Sequence, residues 1–175
     1  MIKSSGNPVE KPDALLAGDE VLYRQVGPGG NPVFYEPGRE PPLDYTLFLP
    51  SRADLDGLSL IRQAHRAPVW AAFRPEQPAV RFRLAIVSLT LLQAIDAETG
   101  LTAARYQATP DALDAERGEP WGHAIAAHIN RPDYERDKSL LKSWARRVTC
   151  LIRHSSISGP FALPTVHDAY RPESS

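Results

Sequence analysis

Proline is the residue that most constrains what this chain can fold into. Seventeen of the 175 residues are proline, and most of them lie within residues 8–50, 68–78 and 160–172. Average usage in proteins is about 5%. Because proline fixes φ and has no amide hydrogen to donate, these segments are poor candidates for long helices or central strands. The sequence therefore predicts ordered loops that connect a few short elements.

Four runs have the composition of β-strands, and one long segment has the periodicity of a helix. The strand candidates are residues 21–26, 45–49, 80–87 and 123–129. In residues 134–153, apolar side chains recur at three- and four-residue spacing, and basic residues fill much of the rest. We predict an α+β fold, in which a mostly antiparallel sheet is covered by this C-terminal amphipathic helix and joined by many proline-rich loops.

The remaining segments carry weaker signals. Residues 58–61 are apolar but too few to distinguish a strand from a helix. Pro68 favours one or two helical turns over residues 67–73, since proline suits the first turn of a helix. Residues 109–122 are polar and punctuated by proline and glycine, so we predict a loop there. Cys150 falls on the apolar side of the C-terminal helix, which predicts a buried thiol.

Length and composition predict one domain in a reducing compartment. We expect a flexible lead-in at residues 1–19, a single domain at 20–156 and a Pro/Ser-rich tail at 157–175. The 20 basic and 21 acidic residues give no overall attraction to nucleic acid or to an anionic membrane. A single cysteine, and the absence of any apolar run resembling a signal peptide or a membrane span, predict a cytoplasmic location without membrane contact.

The Leu22-Tyr23-Arg24 strand, the Gly57-Leu58-Ser59 segment and a later glutamate resemble the arrangement of NAD-using ADP-ribosyltransferases. In that superfamily a strand-borne arginine grips NAD, a serine on a second strand supports the pocket, and a glutamate polarises the ribose. Arg24, Ser59 and Glu119 are the residues that would take these roles. A guanidinium can hold a pyrophosphate, and a carboxylate can stabilise an oxocarbenium ion. An arginine in a strand is more often a solvated or salt-bridged residue, so we treat this interpretation as an alternative.

A second alternative is nucleic-acid binding through the basic face of the C-terminal helix. That face carries Lys142, Arg146, Arg147 and Arg153. Such a face is usually solvated and less often binds an acidic partner. For metals, His123 and His128 are five residues apart and would point to opposite faces of a strand, so we predict no metal site and no bound cofactor. No serine stands in a glycine-flanked elbow, so we predict no serine nucleophile.

Several motifs together resemble a family of small bacterial proteins that have no assigned activity. They are Leu22-Tyr23-Arg24-Gln25-Val26, Phe48-Leu49-Pro50, Asp54 through Ser59, Pro120-Trp121-Gly122-His123-Ala124-Ile125, and Trp144-Ala145. The resemblance spans most of residues 21–150 and implies a recurring domain without naming a reaction. It directs attention to Arg24, Asp56, Ser59 and His123 as binding or site residues. The leading hypothesis is an accessory or binding protein, rather than an enzyme, that acts in complex with another bacterial protein.

Overall fold

The structure, a computed structural model, describes residues 14–27, 34–49, 57–101, 105–117, 122–127 and 131–173. Its strands are β1 (Val21–Val26), β2 (Leu58–Arg62), β3 (Arg83–Ser88), β4 (Tyr106–Thr109), β5 (His123–Ala126) and β6 (Ile157–Ser158). Its α-helices are α1 (Pro68–Ala71), α2 (Leu89–Thr99), α3 (Ala112–Arg117) and α4 (Arg131–Leu151). Within the described residues the strands form one antiparallel sheet in the order β4-β5-β2-β1-β3-β6. The predicted α+β fold is confirmed.

One face of the sheet packs against α2 and α4 and holds the larger part of the core. Strand alternation places Leu22, Leu60, Val87 and Ala124 on this face, where they join Leu92, Leu141, Trp144 and Val148 in a single cluster. Trp144 is fully buried. The apolar stripe predicted for the C-terminal helix therefore faces the sheet, as its periodicity indicated.

The opposite face of the sheet is covered only in part. Tyr23, Ile61 and Leu84 project from it and pack with Ala71 of α1 and with Phe82. This second cluster is smaller than the first, because α1 is a single turn. Part of the face therefore remains open to solvent.

The centre of the sheet contains a split between β1 and β2. β1 pairs with β3 along its whole length, from Val21 to Val26. With β2 it pairs only at Leu22 and Tyr23, opposite Arg62 and Ile61. Beyond Tyr23 the two strands separate, so backbone groups of β2 need partners other than β1.

Residues 45–49 were predicted as a strand, and this prediction is wrong. Tyr45–Phe48 form a 3-10 helix that begins after Asp44. The Asp44 carboxylate accepts hydrogen bonds from the Thr46 amide at 2.9 Å and from the Thr46 hydroxyl at 2.6 Å. This capping satisfies the orphan donors of a helical turn, and it outweighs the strand preference of aromatic and β-branched residues.

Two further expectations are corrected, and one segment left open by the sequence is assigned. Residues 58–62, which the sequence left unassigned, form the strand β2 between β1 and β5. Residues 112–117, predicted as loop, form α3, whose first turn is capped by the Asp111 carboxylate accepting from the Asp114 amide at 2.8 Å. Cys150 is exposed rather than buried. Among the described helices, none is both long enough and apolar enough to span a bilayer.

Candidate active site

A pocket of about 400 Å³ opens on the partly covered face of the sheet, beside the split. Pockets that bind small molecules span roughly 300–1,000 Å³. Its lining combines cations, carboxylates and a hydroxyl–imidazole pair: Arg24, Arg66, Arg74, Glu76, Asp111, Ser59 and His123. Arg66 is paired with Asp111 and Asp114, so Arg24 and Arg74 are the lining cations that can contact an anion in this pocket.

Ser59 and His123 meet at the wall of this pocket. Ser59 lies on β2 and His123 on the adjacent β5, where Ser59 pairs with Ile125 and Ile61 pairs with His123. The two residues are thus diagonal neighbours on the same face of the sheet. Ser59 Oγ is 2.5 Å from His123 Nε2. When Nε2 accepts the hydroxyl proton, the serine oxygen becomes a nucleophile.

Arg24 fills the split between β1 and β2. Its Nε donates to the carbonyl of Leu47 and its Nη1 to the carbonyl of Ser59, each at 2.9 Å. These bonds supply partners for backbone groups next to the split. The two bonds hold the guanidinium at the pocket wall.

Arg66 and two aspartates form a buried network on the other side of the pocket. The Arg66 side chain is only 2% exposed and bonds the carboxylates of Asp111, at 3.2 Å from Nη1, and of Asp114. Tyr170, near the C-terminus, donates its hydroxyl to Asp114 at 2.6 Å. A Cβ at Gly122 would lie 2.6 Å from the Asp114 Oδ1, so only glycine lets β5 pass this close to the network.

The charges and hydrogen bonds of this network lower the pKa of Asp111. Burial alone would raise the pKa of Asp111, but the Arg66 charge and the hydrogen bond from the Asp114 amide outweigh it, and the pKa falls below its usual value. The charge of His123 contributes to the same shift. Asp111 is therefore more acidic than an ordinary aspartate, and it interacts electrostatically with His123.

Gln25 holds Arg74 in place on the opposite wall. The Gln25 amide donates to the carbonyl of Ala71 at 2.6 Å, and its oxygen accepts from Arg74 Nε at 2.5 Å. The Arg74 guanidinium also stacks on the Phe82 ring, with its carbon 4.8 Å from the ring centroid. Among the described residues Arg74 forms no ion pair, so its positive charge is available to a ligand.

The structure brings together three of the residues that the sequence singled out. Arg24, Ser59 and His123 line the same pocket. Glu119 and Asp56 lie outside the described residues.

The predicted basic residues of α4 lie elsewhere. Their helix packs on the opposite face of the sheet. Arg146 stacks on Tyr45, at 4.8 Å from the ring centroid, and Arg147 pairs with Glu98 at 3.0 Å. Two of the four cations thus have partners within the protein.

Sequence reasoning missed several pocket residues, among them Gln25, Arg66, Arg74, Glu76 and Asp111. Arg66 and Asp111 are 45 positions apart, and only the pairing of β4 with β5 brings α3 to this wall. A signal was present in Asp111-Ala112-Leu113-Asp114, where an aspartate precedes a helix-compatible run as an N-cap would.

Comparison with known proteins identifies no relative: no family model, curated protein or solved structure matches this chain. The site is therefore defined by its own geometry as a hydroxyl–imidazole pair in an arginine-lined pocket. Within the described residues, no group of three or more His, Cys, Asp or Glu side chains is arranged to hold a metal ion.

Proposed function

We propose that the pocket is the active site of an enzyme that cleaves phosphate esters or anhydrides, with Ser59 as nucleophile and His123 as its general base. The observation that carries this proposal is the 2.5 Å contact between Ser59 Oγ and His123 Nε2, in a pocket that Arg24 and Arg74 also line. The serine–histidine pair supplies nucleophilic chemistry, and the arginines select an anionic substrate.

The reaction proceeds in two steps. In the first, Ser59 Oγ bonds to the substrate phosphorus as its proton moves to His123 Nε2, and the bond from phosphorus to the leaving oxygen breaks. The imidazolium then gives that proton to the leaving oxygen. In the second, His123 takes a proton from water, the water oxygen bonds to phosphorus as the bond from Ser59 Oγ to phosphorus breaks, and Ser59 recovers its hydroxyl proton from the imidazolium. An acceptor alcohol in place of water gives transfer rather than hydrolysis.

The charged residues around the pair have defined roles in this scheme. Arg24 and Arg74 stabilise the negative charge on the phosphoryl oxygens in the transition state. Asp111 stabilises His123 while it carries the extra proton, through the electrostatic coupling that also lowers the pKa of Asp111. Asp111 acts through His123, and we therefore class it as a positioning residue.

A fluorophosphonate probe tests the nucleophile without knowledge of the substrate. Such a probe forms a Ser Oγ–phosphorus bond and releases fluoride, and the serine proton passes to the general base. We expect mass spectrometry of the labelled protein to identify Ser59 as the modified residue. The exposed Ser143 on α4 is an internal control for ordinary serine reactivity.

Two variants distinguish a Ser59 hydroxyl that is activated by His123 from one that is merely accessible to the probe. His123→Asn should slow the labelling of Ser59 by about 100-fold or more, since general-base catalysis is typically worth 10²–10⁴-fold. Arg153→Ala, a change of one exposed cation on the other side of the sheet, should leave the labelling rate unaltered. Labelling of Ser59 at the rate of Ser143, or labelling that ignores His123→Asn, would refute the proposal.

The other expectations from the sequence remain predictions. The ADP-ribosyltransferase alternative is supported by Arg24 and Ser59 lining one pocket, but its third residue, Glu119, lies outside the described residues. Action with another bacterial protein, nucleic-acid binding through α4 and a cytoplasmic location are further proposals. NAD also contains a phosphate anhydride, so the proposed chemistry and the alternative share a class of ligand.

A further inference from the structure

A second pocket, of about 440 Å³, lies next to the arginine-lined one. It is lined by Gly27, Gln77, Pro78, Ala79, Val80 and Phe82. Except for the Gln77 amide, these side chains are apolar or absent. No charged side chain lines it within the described residues.

The two pockets share one wall. Arg74 lines the first pocket and Phe82 the second, and the guanidinium carbon of Arg74 is 4.8 Å from the Phe82 ring centroid. The chain also runs from one pocket into the other in two places. Gln25 of β1 lines the first pocket, and Gly27, just after the end of β1, lines the second. In the loop before β3, residues 73–76 line the first and residues 77–80 the second.

We infer that the second pocket binds the base of a nucleoside phosphate whose phosphates occupy the first. This inference rests on the proposed function, since it names the substrate class of that active site. A ligand that fills both pockets must carry negative charge at one end and an uncharged group with apolar faces at the other. Nucleoside phosphates have that distribution, and the Gln77 amide can both donate to and accept from the edge of a base.

The size of the site fits this ligand class. Each pocket has a volume within the range of roughly 300–1,000 Å³ that is usual for small-molecule sites. Pro78 and Val80 offer apolar surface to the faces of a base, while Phe82, which is only 4% exposed, lines the pocket without a free ring face. The base would therefore add affinity to an anion that the arginines orient.

The test compares ADP with pyrophosphate, which lacks the nucleoside, by isothermal titration calorimetry. Ser59→Ala is used throughout, so that neither compound is turned over. We expect ADP to bind about tenfold more tightly than pyrophosphate, because the base buries apolar surface in the second pocket. Ala79→Trp, added to fill the second pocket from an exposed position, should weaken ADP binding by about tenfold and leave pyrophosphate binding unchanged.

The matched control is Ala97→Trp, which places the same side chain at an exposed position on α2. It should alter neither affinity. If pyrophosphate binds but Ala79→Trp leaves ADP affinity unchanged, or weakens both ligands equally, the second pocket is not a base subsite and the proposed function stands. If neither compound binds, both proposals are wrong. Geranyl diphosphate tests the ligand class, and binding as tight as that of ADP would assign the pocket to an apolar chain instead.

Discussion

Asp111 and Asp114 share one guanidinium, and their pKa values move in opposite directions. Burial raises the pKa of Asp114, and the nearby Asp111 charge adds to the rise, against the lowering effects of Tyr170 and Arg66. Burial also acts to raise the pKa of Asp111, but Arg66 and the Asp114 amide lower this pKa by more than burial raises it. Arg66 itself loses some stability as a cation through burial, yet the two carboxylates raise its pKa overall. Asp111 is thus the more acidic of the two carboxyl groups.

Asp111→Asn should destabilise the protein in a pH-dependent way. The folded pKa of Asp111 lies below its ordinary value of 3.8, so its ionisation stabilises the fold above that pH. This contribution is lost as the pH falls through the folded pKa. Near neutral pH we expect a loss of roughly 1–3 kcal/mol in the free energy of unfolding, because the neutral amide loses the ion pair with Arg66 while its oxygen still caps α3.

Urea titrations of wild type and Asp111→Asn, repeated from about pH 7 down to about pH 2, measure this dependence. The stability difference should narrow as the solution is acidified below the ordinary pKa of 3.8. The effect of Asp114 on stability depends on pH in the opposite way. Because its pKa is raised in the folded protein, its contribution to stability is present at low pH and is lost as the pH rises. Asp19→Asn, at an exposed loop position, is the control. A difference that stays constant at every pH would contradict the assignment.

At the scale of elements, the sequence predicted those strands and helices whose signals lie within their own residues, and it missed those that form only through distant pairing. β1 and α4 were predicted because the alternation or helical periodicity of their apolar side chains can be seen in their own sequences. β2 was not, because five residues of Leu-Ser-Leu-Ile-Arg become a strand only through pairing with β5, which lies some 60 positions later. The Ser59–His123 contact spans 64 positions, so both residues were named without their contact being foreseen.

The start of β2 is set by Gly57, and Gly57→Ala should disrupt the site through this strand. Gly57 has φ of +133°, and a Cβ there would lie 2.5 Å from the carbonyl oxygen of Ala126 on β5. Backbone at this φ strains any other residue, and the clash pushes β2 away from β5. We expect a loss of roughly 2–4 kcal/mol in unfolding free energy, with slower fluorophosphonate labelling of Ser59.

Gly18→Ala measures the cost of backbone strain alone, without the steric clash expected at Gly57. Gly18 also has a positive φ, of +72°, but no atom lies within 4 Å of the position a Cβ would take. Its substitution should cost only about 1 kcal/mol and leave Ser59 labelling unchanged. Equal losses for the two variants, measured by urea unfolding, would show that the Gly57 contact with β5 is unimportant.

At the scale of the whole molecule, residues 157–173 form a strap that connects distant parts of the fold. Its start is β6, which pairs with β3 at the edge of the sheet. Near its end, the Tyr170 carbonyl accepts from the Ala67 amide at 2.9 Å, and the Tyr170 ring stacks edge-on against Trp70 with 5.7 Å between centroids. The strap thus completes the buried Arg66–Asp114 network behind the pocket wall.

Tyr170→Phe should loosen this strap without removing its apolar contacts. The variant keeps the ring against Trp70 but deletes the 2.6 Å hydrogen bond to Asp114, a carboxylate that is fully buried. Loss of a hydrogen bond to a buried charged group costs about 1.5–3 kcal/mol, which urea unfolding would detect. Hydrogen exchange of the Ala67 amide reports strap docking directly, and it should quicken by about tenfold or more. Tyr35→Phe is the matched control, because the Tyr35 hydroxyl forms no hydrogen bond within the described residues. If Ala67 exchanges at the wild-type rate in Tyr170→Phe, the hydroxyl does not hold the strap, and packing against Trp70 alone keeps it in place.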